Sequence, residues 1–144
     1  MKKTITIITL YLLLISCNFS GNITYENEVA EKEAAENVTA MFYLFLGRDD
    51  FESTLSLVSE SFFKVSSKDD LILFLKSKRE KLGKYKDFEL QDWKTHRVKG
   101  TNNETFYLFV YKIKYENGET IEKLKLVREK EGIKINGYDV NKKK

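Results

Sequence analysis

Proline is missing from this chain of 144 residues, and cysteine, histidine and tryptophan each occur only once. Proline is the commonest breaker of helices and central strands, so its absence permits long regular elements. The single cysteine excludes a disulfide within the chain, and the single histidine excludes a zinc site built from several histidines. Hydrophobic residues make up 42% and charged residues 33% of the chain, a balance typical of a folded domain.

Sequence motifs for nucleotide and acyl chemistry are also missing. The seven glycines are scattered, without a glycine-rich run that could cradle phosphates. There is no Gly-x-Ser-x-Gly elbow, the turn that presents the nucleophile of many hydrolases. The single histidine, His96, stands between Thr95 and Arg97 at the polar end of a predicted strand, where a catalytic role is not favoured. We therefore expect no catalytic residue, no metal and no cofactor.

Neither sign of charge dominates the chain. The formal net charge is +3, but Lys2 and Lys3 lie in a segment that we expect to be removed. Without those two lysines, the basic residues almost balance the 22 acidic ones. Proteins that bind nucleic acid collect many basic side chains on one face. The charge balance therefore predicts no nucleic-acid partner.

The longest apolar run follows a basic start at the N-terminus. Residues 5–15 are apolar apart from two threonines and a tyrosine, which is the length of the central region of a signal peptide. A transmembrane helix needs about 20 apolar residues, so this run is too short to cross a bilayer. Residues 1–16 are therefore predicted to be a signal peptide.

The segment Leu14-Ile15-Ser16-Cys17 resembles the lipobox of bacterial lipoproteins: an aliphatic residue, a tolerant position, a small residue and then cysteine. The resemblance implies cleavage between Ser16 and Cys17 and a diacylglyceryl group on the Cys17 thiol. Residues 17–27, which mix Asn, Ser and Gly, then form a lipidated tether. The expected location is the bacterial cell envelope (outer membrane or periplasmic side in a Gram-negative cell), with membrane lipid as a partner through acylated Cys17. The alternative is an ordinary secretion signal with an incidental cysteine.

Residues 28–144 are predicted to form a single α+β domain, because helical spacing of apolar residues gives way to a period of two. We expect three helices: Val29–Gly47, a shorter one from Asp49 or Asp50 to near Glu60, and one from an N-cap at Ser67 to Gly83. The aspartate pairs at 49–50 and 69–70 are interpreted as helix caps, not as metal ligands. Four strands follow, at Phe88–Lys99, Thr105–Tyr115, Thr120–Arg128 and Ile133–Val140.

The dipeptide Asn117-Gly118 predicts a two-residue hairpin loop, because both positions tolerate positive φ. This loop places Tyr111 opposite Leu124 on the buried face of the sheet and Lys112 opposite Lys123 outside. In the last strand the apolar positions change parity across Gly137, which predicts a bulge there.

The order of these elements, with Leu82-Gly83, Asp92-Trp93 and Gly137-Tyr138-Asp139-Val140, resembles bacterial lipoproteins with a nuclear-transport-factor-2-like, cystatin-like cone domain. The resemblance implies N-terminal helices packed on a curved four-stranded antiparallel meander, with a cavity at the wide end. Members of that superfamily include ketosteroid isomerases, dehydratases and many domains without known chemistry. Fold alone therefore does not fix the activity.

Two functional hypotheses follow. The first is a membrane-anchored envelope lipoprotein whose non-enzymatic domain binds a small apolar ligand or an unknown envelope protein. The second is a small cavity enzyme, similar to an isomerase or dehydratase, acting on an apolar small molecule. Four aromatic residues could line a ligand pocket, because such pockets commonly have aromatic walls, or could instead belong to the core: Trp93, Tyr107, Phe109 and Tyr111.

Overall fold

The computed structural model describes residues 23–100 and 103–142 of the chain. Within them, three helices and a five-stranded antiparallel sheet form an α+β fold, as expected. The helices are α1 (Val29–Gly47), α2 (Phe51–Thr54) and α3 (Lys68–Leu82), with 3₁₀ turns at Leu55–Leu57 and Phe62–Lys64. The strands, which lie in the sheet in chain order, are β1 (Ile23–Glu26), β2 (Tyr85–Lys99), β3 (Glu104–Tyr115), β4 (Gly118–Glu129) and β5 (Gly132–Lys142).

The first and third helices lie where the sequence predicts them. Ser67 caps α3 in a capping box with Asp70, each side chain bonding the backbone N–H of the other residue. Gly83 follows with φ +77°, and a Cβ there would come within 2.6 Å of the Glu116 Cβ. A glycine is therefore required both for the conformation and for the close approach of the next turn.

The second predicted helix is too long. Regular α-helix stops at Thr54 instead of continuing to Glu60. Val58 is extended and forms a parallel bridge with Ile135, and the Ser59 N–H donates to the Ile135 carbonyl over 2.9 Å. Pairing with the edge of β5 therefore overrides the helical spacing of the apolar residues.

The prediction of four strands is wrong, because a fifth strand, β1, lies inside the segment expected to be tether. Ile23 pairs with Lys99 and Glu26 with His96. Only Tyr25 of this segment is half-buried, and β2 is long enough to offer it a free edge. The strand is short and follows asparagines and a glycine, so the periodicity of apolar residues did not reveal it.

The predicted register between β3 and β4 is wrong by two residues. Tyr111 lies opposite Glu122 and Lys112 opposite Ile121, because the loop consists of Glu116 and Asn117. Both loop amides bond the C-terminal end of α3 and the residues that follow it. Glu116 N–H donates to the Lys84 carbonyl and Asn117 N–H to the Leu82 carbonyl. These tertiary bonds fix the turn one residue earlier. An even shift leaves every side chain on its predicted face.

Bulges interrupt two of the ladders. Lys125 pairs with Gly137 but Leu126 pairs with Ile135, so Asn136 is the extra residue beside the predicted glycine. Two further irregularities lie in β2, between Tyr85 and Asp87 and between Leu90 and Asp92. Bulges bend and twist a strand, and the bent sheet holds α1 and α3 against its inner face.

The two ends of the sheet differ in the chain segments that they carry. The hairpin end carries the Glu116–Asn117 turn, and the entry end is where Ile23 pairs with Lys99. The 12 residues of β3 run from one end to the other, a length of about 40 Å at ~3.4 Å per residue. No helix within the described ranges is long and apolar enough to span a bilayer.

Candidate functional site

A fully buried carboxylate lies on the inner face of β4. Glu122 is 0% exposed and sits in a core otherwise built from aliphatic and aromatic side chains. An ionised carboxylate in such surroundings is costly unless it is paired and hydrogen-bonded. Five side chains surround it and form with it what we call the carboxylate cluster: Tyr43, Lys78, Tyr115, Thr120, Glu122 and Tyr138.

Both oxygens of Glu122 accept several hydrogen bonds. Oε1 accepts from the hydroxyls of Tyr115 and Thr120, each over 2.7 Å. Oε2 accepts from the hydroxyls of Tyr138 and Tyr43, the latter over 3.3 Å. The Lys78 ammonium reaches Oε1 at 3.2 Å and Oε2 at 3.3 Å.

The counter-ion of Glu122 comes from α3. Lys78 lies one turn beyond Leu75 and two beyond Leu71, so its side chain shares the buried face of the helix. Its ammonium also donates to the Tyr138 hydroxyl. All three of its protons therefore have partners inside the cluster.

Burial dominates the electrostatics of the cluster. It lowers the pKa of Lys78, and the nearby Glu122 carboxylate opposes that shift. Burial raises the pKa values of Tyr43, Tyr115 and Tyr138, and the negative charge of Glu122 raises them further. The tyrosines therefore stay neutral donors, which is the form that stabilises the carboxylate.

A cleft of about 500 Å³ opens beside this cluster at the hairpin end of the sheet. It lies between α3, the β3–β4 turn and the inner face of β4 and β5. Lys78 and Thr120 belong to both the cluster and the wall of the cleft. The remaining lining residues are Phe74, Ser77, Lys81, Leu82, Asn117 and Val140.

The aromatic residues singled out in the sequence do not line this cleft. Tyr107, Phe109 and Tyr111 are at most 2% exposed and pack in the core. Trp93 is half-buried against that core, with the Lys32 ammonium 5.8 Å from its ring centre. The Tyr111 hydroxyl is 2.6 Å from the Thr39 hydroxyl, and burial raises the pKa of Tyr111 to about 12.

The other polar residues weighed in the sequence have structural partners. His96 is exposed, 3.6 Å from a Glu26 carboxylate oxygen. Asp50 caps α2 through the Ser53 N–H, while Asp49 pairs with Arg79 over 2.7 Å. The predicted cleavage and lipidation residues, Ser16 and Cys17, lie outside the described residues.

The carboxylate cluster is the part of the site that the sequence reasoning missed. The signal for Glu122 was present, because strict alternation along β4 places it on the core face. Lys78 and Tyr138 likewise occupy inward positions of their elements. What the sequence could not show is that these inward polar side chains meet.

No protein-family model matches this chain, and comparison with curated proteins and with solved structures finds no similar protein. Among the described residues, no group of three or more His, Cys, Asp or Glu side chains could hold a metal ion. The carboxylate cluster and its cleft therefore have to be interpreted from their own geometry.

Lys78→Ala should destabilise the protein by about 3–5 kcal/mol, because it leaves the buried Glu122 charge without its counter-ion. Lys76→Ala, an exposed position on the same helix, should change the free energy of unfolding by no more than about 0.5 kcal/mol. Urea titration followed by circular dichroism measures both. Equal effects of the two substitutions would show that the cluster does not stabilise the fold.

Stability should fall as the pH rises above 10. Six tyrosines have pKa values raised above the ordinary 10.0 by burial: Tyr43, Tyr85, Tyr107, Tyr111, Tyr115 and Tyr138. Above pH 10 the unfolded chain releases these protons while the folded chain keeps them, so the unfolded state is favoured. Below pH 10.5 the lowered pKa of Lys78 makes stability rise with pH, but this is the effect of one group against that of six.

Urea midpoints measured between pH 8 and 11.5 give the slope of stability against pH, and Tyr115→Phe should make that slope less steep. A midpoint that stays level or rises would contradict this.

Proposed function

We propose that this protein is a bacterial cell-envelope lipoprotein, anchored through acylated Cys17, whose domain is of the nuclear-transport-factor-2-like, cystatin-like kind. The domain is non-enzymatic and binds a small, largely apolar molecule in the cleft at the hairpin end. The observation that carries the binding role is a cleft of about 500 Å³ bordered by a polar cluster whose hydrogen bonds are already complete.

The position of the cleft suits an anchored receptor. The described chain enters the sheet at Ile23, six residues after Cys17, a reach of about 20 Å when extended. The cleft lies at the opposite end of the sheet, so it faces away from the membrane. A ligand can therefore enter it while the lipid holds the entry end at the surface.

The lining of the cleft sets the chemistry of the ligand. Phe74, Leu82 and Val140 supply apolar walls, while Ser77 and Asn117 supply hydrogen-bonding groups at the rim. Pockets for small molecules commonly combine apolar walls with a few polar groups, in volumes of roughly 300–1,000 Å³. The exposed ammonium of Lys81 completes the rim. A compact apolar molecule with one polar or acidic end fits this arrangement.

The saturation of Glu122 favours binding over catalysis. A carboxylate has about four lone-pair sites, and Glu122 is in contact with five donor groups. A general base needs a free site within reach of the substrate proton. Glu122 would have to lose a hydrogen bond in a buried environment before it could accept that proton.

A cavity enzyme is the second candidate, because a buried carboxylate beside a cleft is what an isomerase or dehydratase would use. Lys78 and Tyr138 would then hold Glu122 in place while one hydroxyl exchanged for substrate. Turnover of an apolar substrate that disappears in Glu122→Gln, with the protein still folded, would favour this candidate.

Mass spectrometry of the protein extracted from bacterial membranes should find an N-terminus at Cys17 that carries a diacylglyceryl group. The matched variant Cys17→Ser should keep residues 1–16 and incorporate no labelled palmitate, whereas Ser20→Ala should behave as wild type. An unmodified Cys17, or cleavage at another bond, would show an ordinary secretion signal instead.

The probe 1-anilinonaphthalene-8-sulfonate, an apolar body with one acidic group, should bind the cleft and gain fluorescence. Ser77→Trp fills the cleft and should weaken binding about tenfold or more, a loss of ~1.4 kcal/mol. Lys76→Trp, which adds the same ring one residue away but outside the cleft, is the control. Equal binding by both variants would place the probe elsewhere and refute the proposed site.

A further inference from the structure

A second pocket lies at the entry end of the sheet, away from the cleft at the hairpin end. It has a volume of about 700 Å³ and opens where the inner face of the sheet extends past the start of α1. Four basic and two acidic side chains line it, beside two small polar ones and one valine: Glu31, Arg97, Val98, Lys99, Asn103, Thr105, Arg128, Glu129 and Lys130.

The two arginines of this pocket are held in place by one carboxylate. Glu31 accepts hydrogen bonds from Arg97 over 3.1 Å, from Arg128 over 2.6 Å and from the Tyr107 hydroxyl over 2.6 Å. Glu28 accepts a further bond from Arg97 over 3.1 Å. These contacts use only one nitrogen of each guanidinium, and a guanidinium has five N–H donors. Both arginines therefore keep donors for a second anion.

Lys99 and Lys130 add two further charges at the rim. Both are exposed, and the Lys99 ammonium lies 5.3 Å from the centre of the Tyr25 ring. Arg97 and Arg128 have 26% and 43% of their side-chain surface open to solvent. The pocket thus combines two arginines bonded to carboxylates with two exposed lysines, an arrangement suited to phosphate, whose geometry an arginine fork matches.

We infer that this entry-end pocket binds a phosphate group, held by Arg97 and Arg128 and neutralised further by Lys99 and Lys130. The phosphate can come from a lipid headgroup or from a free phosphate ion or ester. The pocket lies beside Ile23, where the chain arrives from Cys17, so an anchored domain would hold it within reach of anionic headgroups. Only this choice of a lipid source rests on the proposed anchor, and the phosphate site itself does not.

The test uses the full chain in dodecyl maltoside, a detergent without phosphate, so that its outcome does not depend on lipidation. Inorganic phosphate, dihexanoyl phosphatidylglycerol and dihexanoyl phosphatidylcholine are titrated separately by calorimetry, against sodium chloride at equal ionic strength. Binding of both phosphate and the anionic lipid supports the site with either source. Binding of the anionic lipid alone assigns a lipid headgroup, and binding of phosphate alone assigns a free phosphate. Binding of none of them, or equal heats from chloride, overturns the inference.

A charge-matched pair of variants locates the site. Lys99→Ala with Lys130→Ala removes two charges from the pocket without touching the Glu31 contacts, and should weaken binding about tenfold or more. Lys114→Ala with Lys123→Ala removes two charges from the outer face of the sheet and should leave binding unchanged. Equal losses of affinity in the two double variants would mean that phosphate binding depends only on the net charge of the protein. That result would contradict a specific site in this pocket. Absence of phosphate binding would not affect the results on lipidation of Cys17 or on probe binding in the cleft. Failure of those two experiments would likewise leave the phosphate site untouched.

Discussion

The ion pair between Lys78 and Glu122 is the interaction on which the arrangement of this domain depends. It joins α3 to β4 across the core, and the hydroxyls of Tyr43 and Tyr138 bring α1 and β5 to the same point. A buried pair of this kind adds little net stability over well-packed apolar side chains. It does constrain the relative positions of the helices and strands, because a misplaced element leaves a charge or hydroxyl without its hydrogen-bond partner. Among the described residues, no buried side-chain polar atom lacks a partner.

The sequence predicts most of the elements because local chemistry decides them. The capping box at Ser67 and Asp70, the stop at Gly83 and the alternation in β3 all act within a few residues. The bulge beside Gly137 is also local, since a change of parity is visible in the strand itself. For these features the tertiary structure agrees with what each segment prefers alone.

The features that were missed all depend on contacts distant in the chain. The hairpin register is set by bonds from Glu116 and Asn117 to the end of α3 and the residue Lys84 beyond it. The early end of α2 is set by the pairing of Val58 with Ile135. The carboxylate cluster joins residues from 43 to 138, so no window of sequence contains it. Alternation could place Glu122 inside but could not name its partners. The aromatic residues that the sequence offered either as a pocket lining or as core do not line the cleft, since Tyr107, Phe109 and Tyr111 are buried in the core.

The outer strands of the sheet have a further consequence for behaviour in solution at high concentration. An exposed strand edge is a template on which another chain can add a strand. Here β1 covers the entry end of β2, and the Ser59 amide occupies the Ile135 carbonyl on the free side of β5. Both covers are short. Val58 and Ser59 are themselves buried, whereas three of the four residues of β1 are exposed, so β1 should open at the lower cost. Loss of either cover would lengthen the exposed edge, so both segments help to protect the native domain against aggregation.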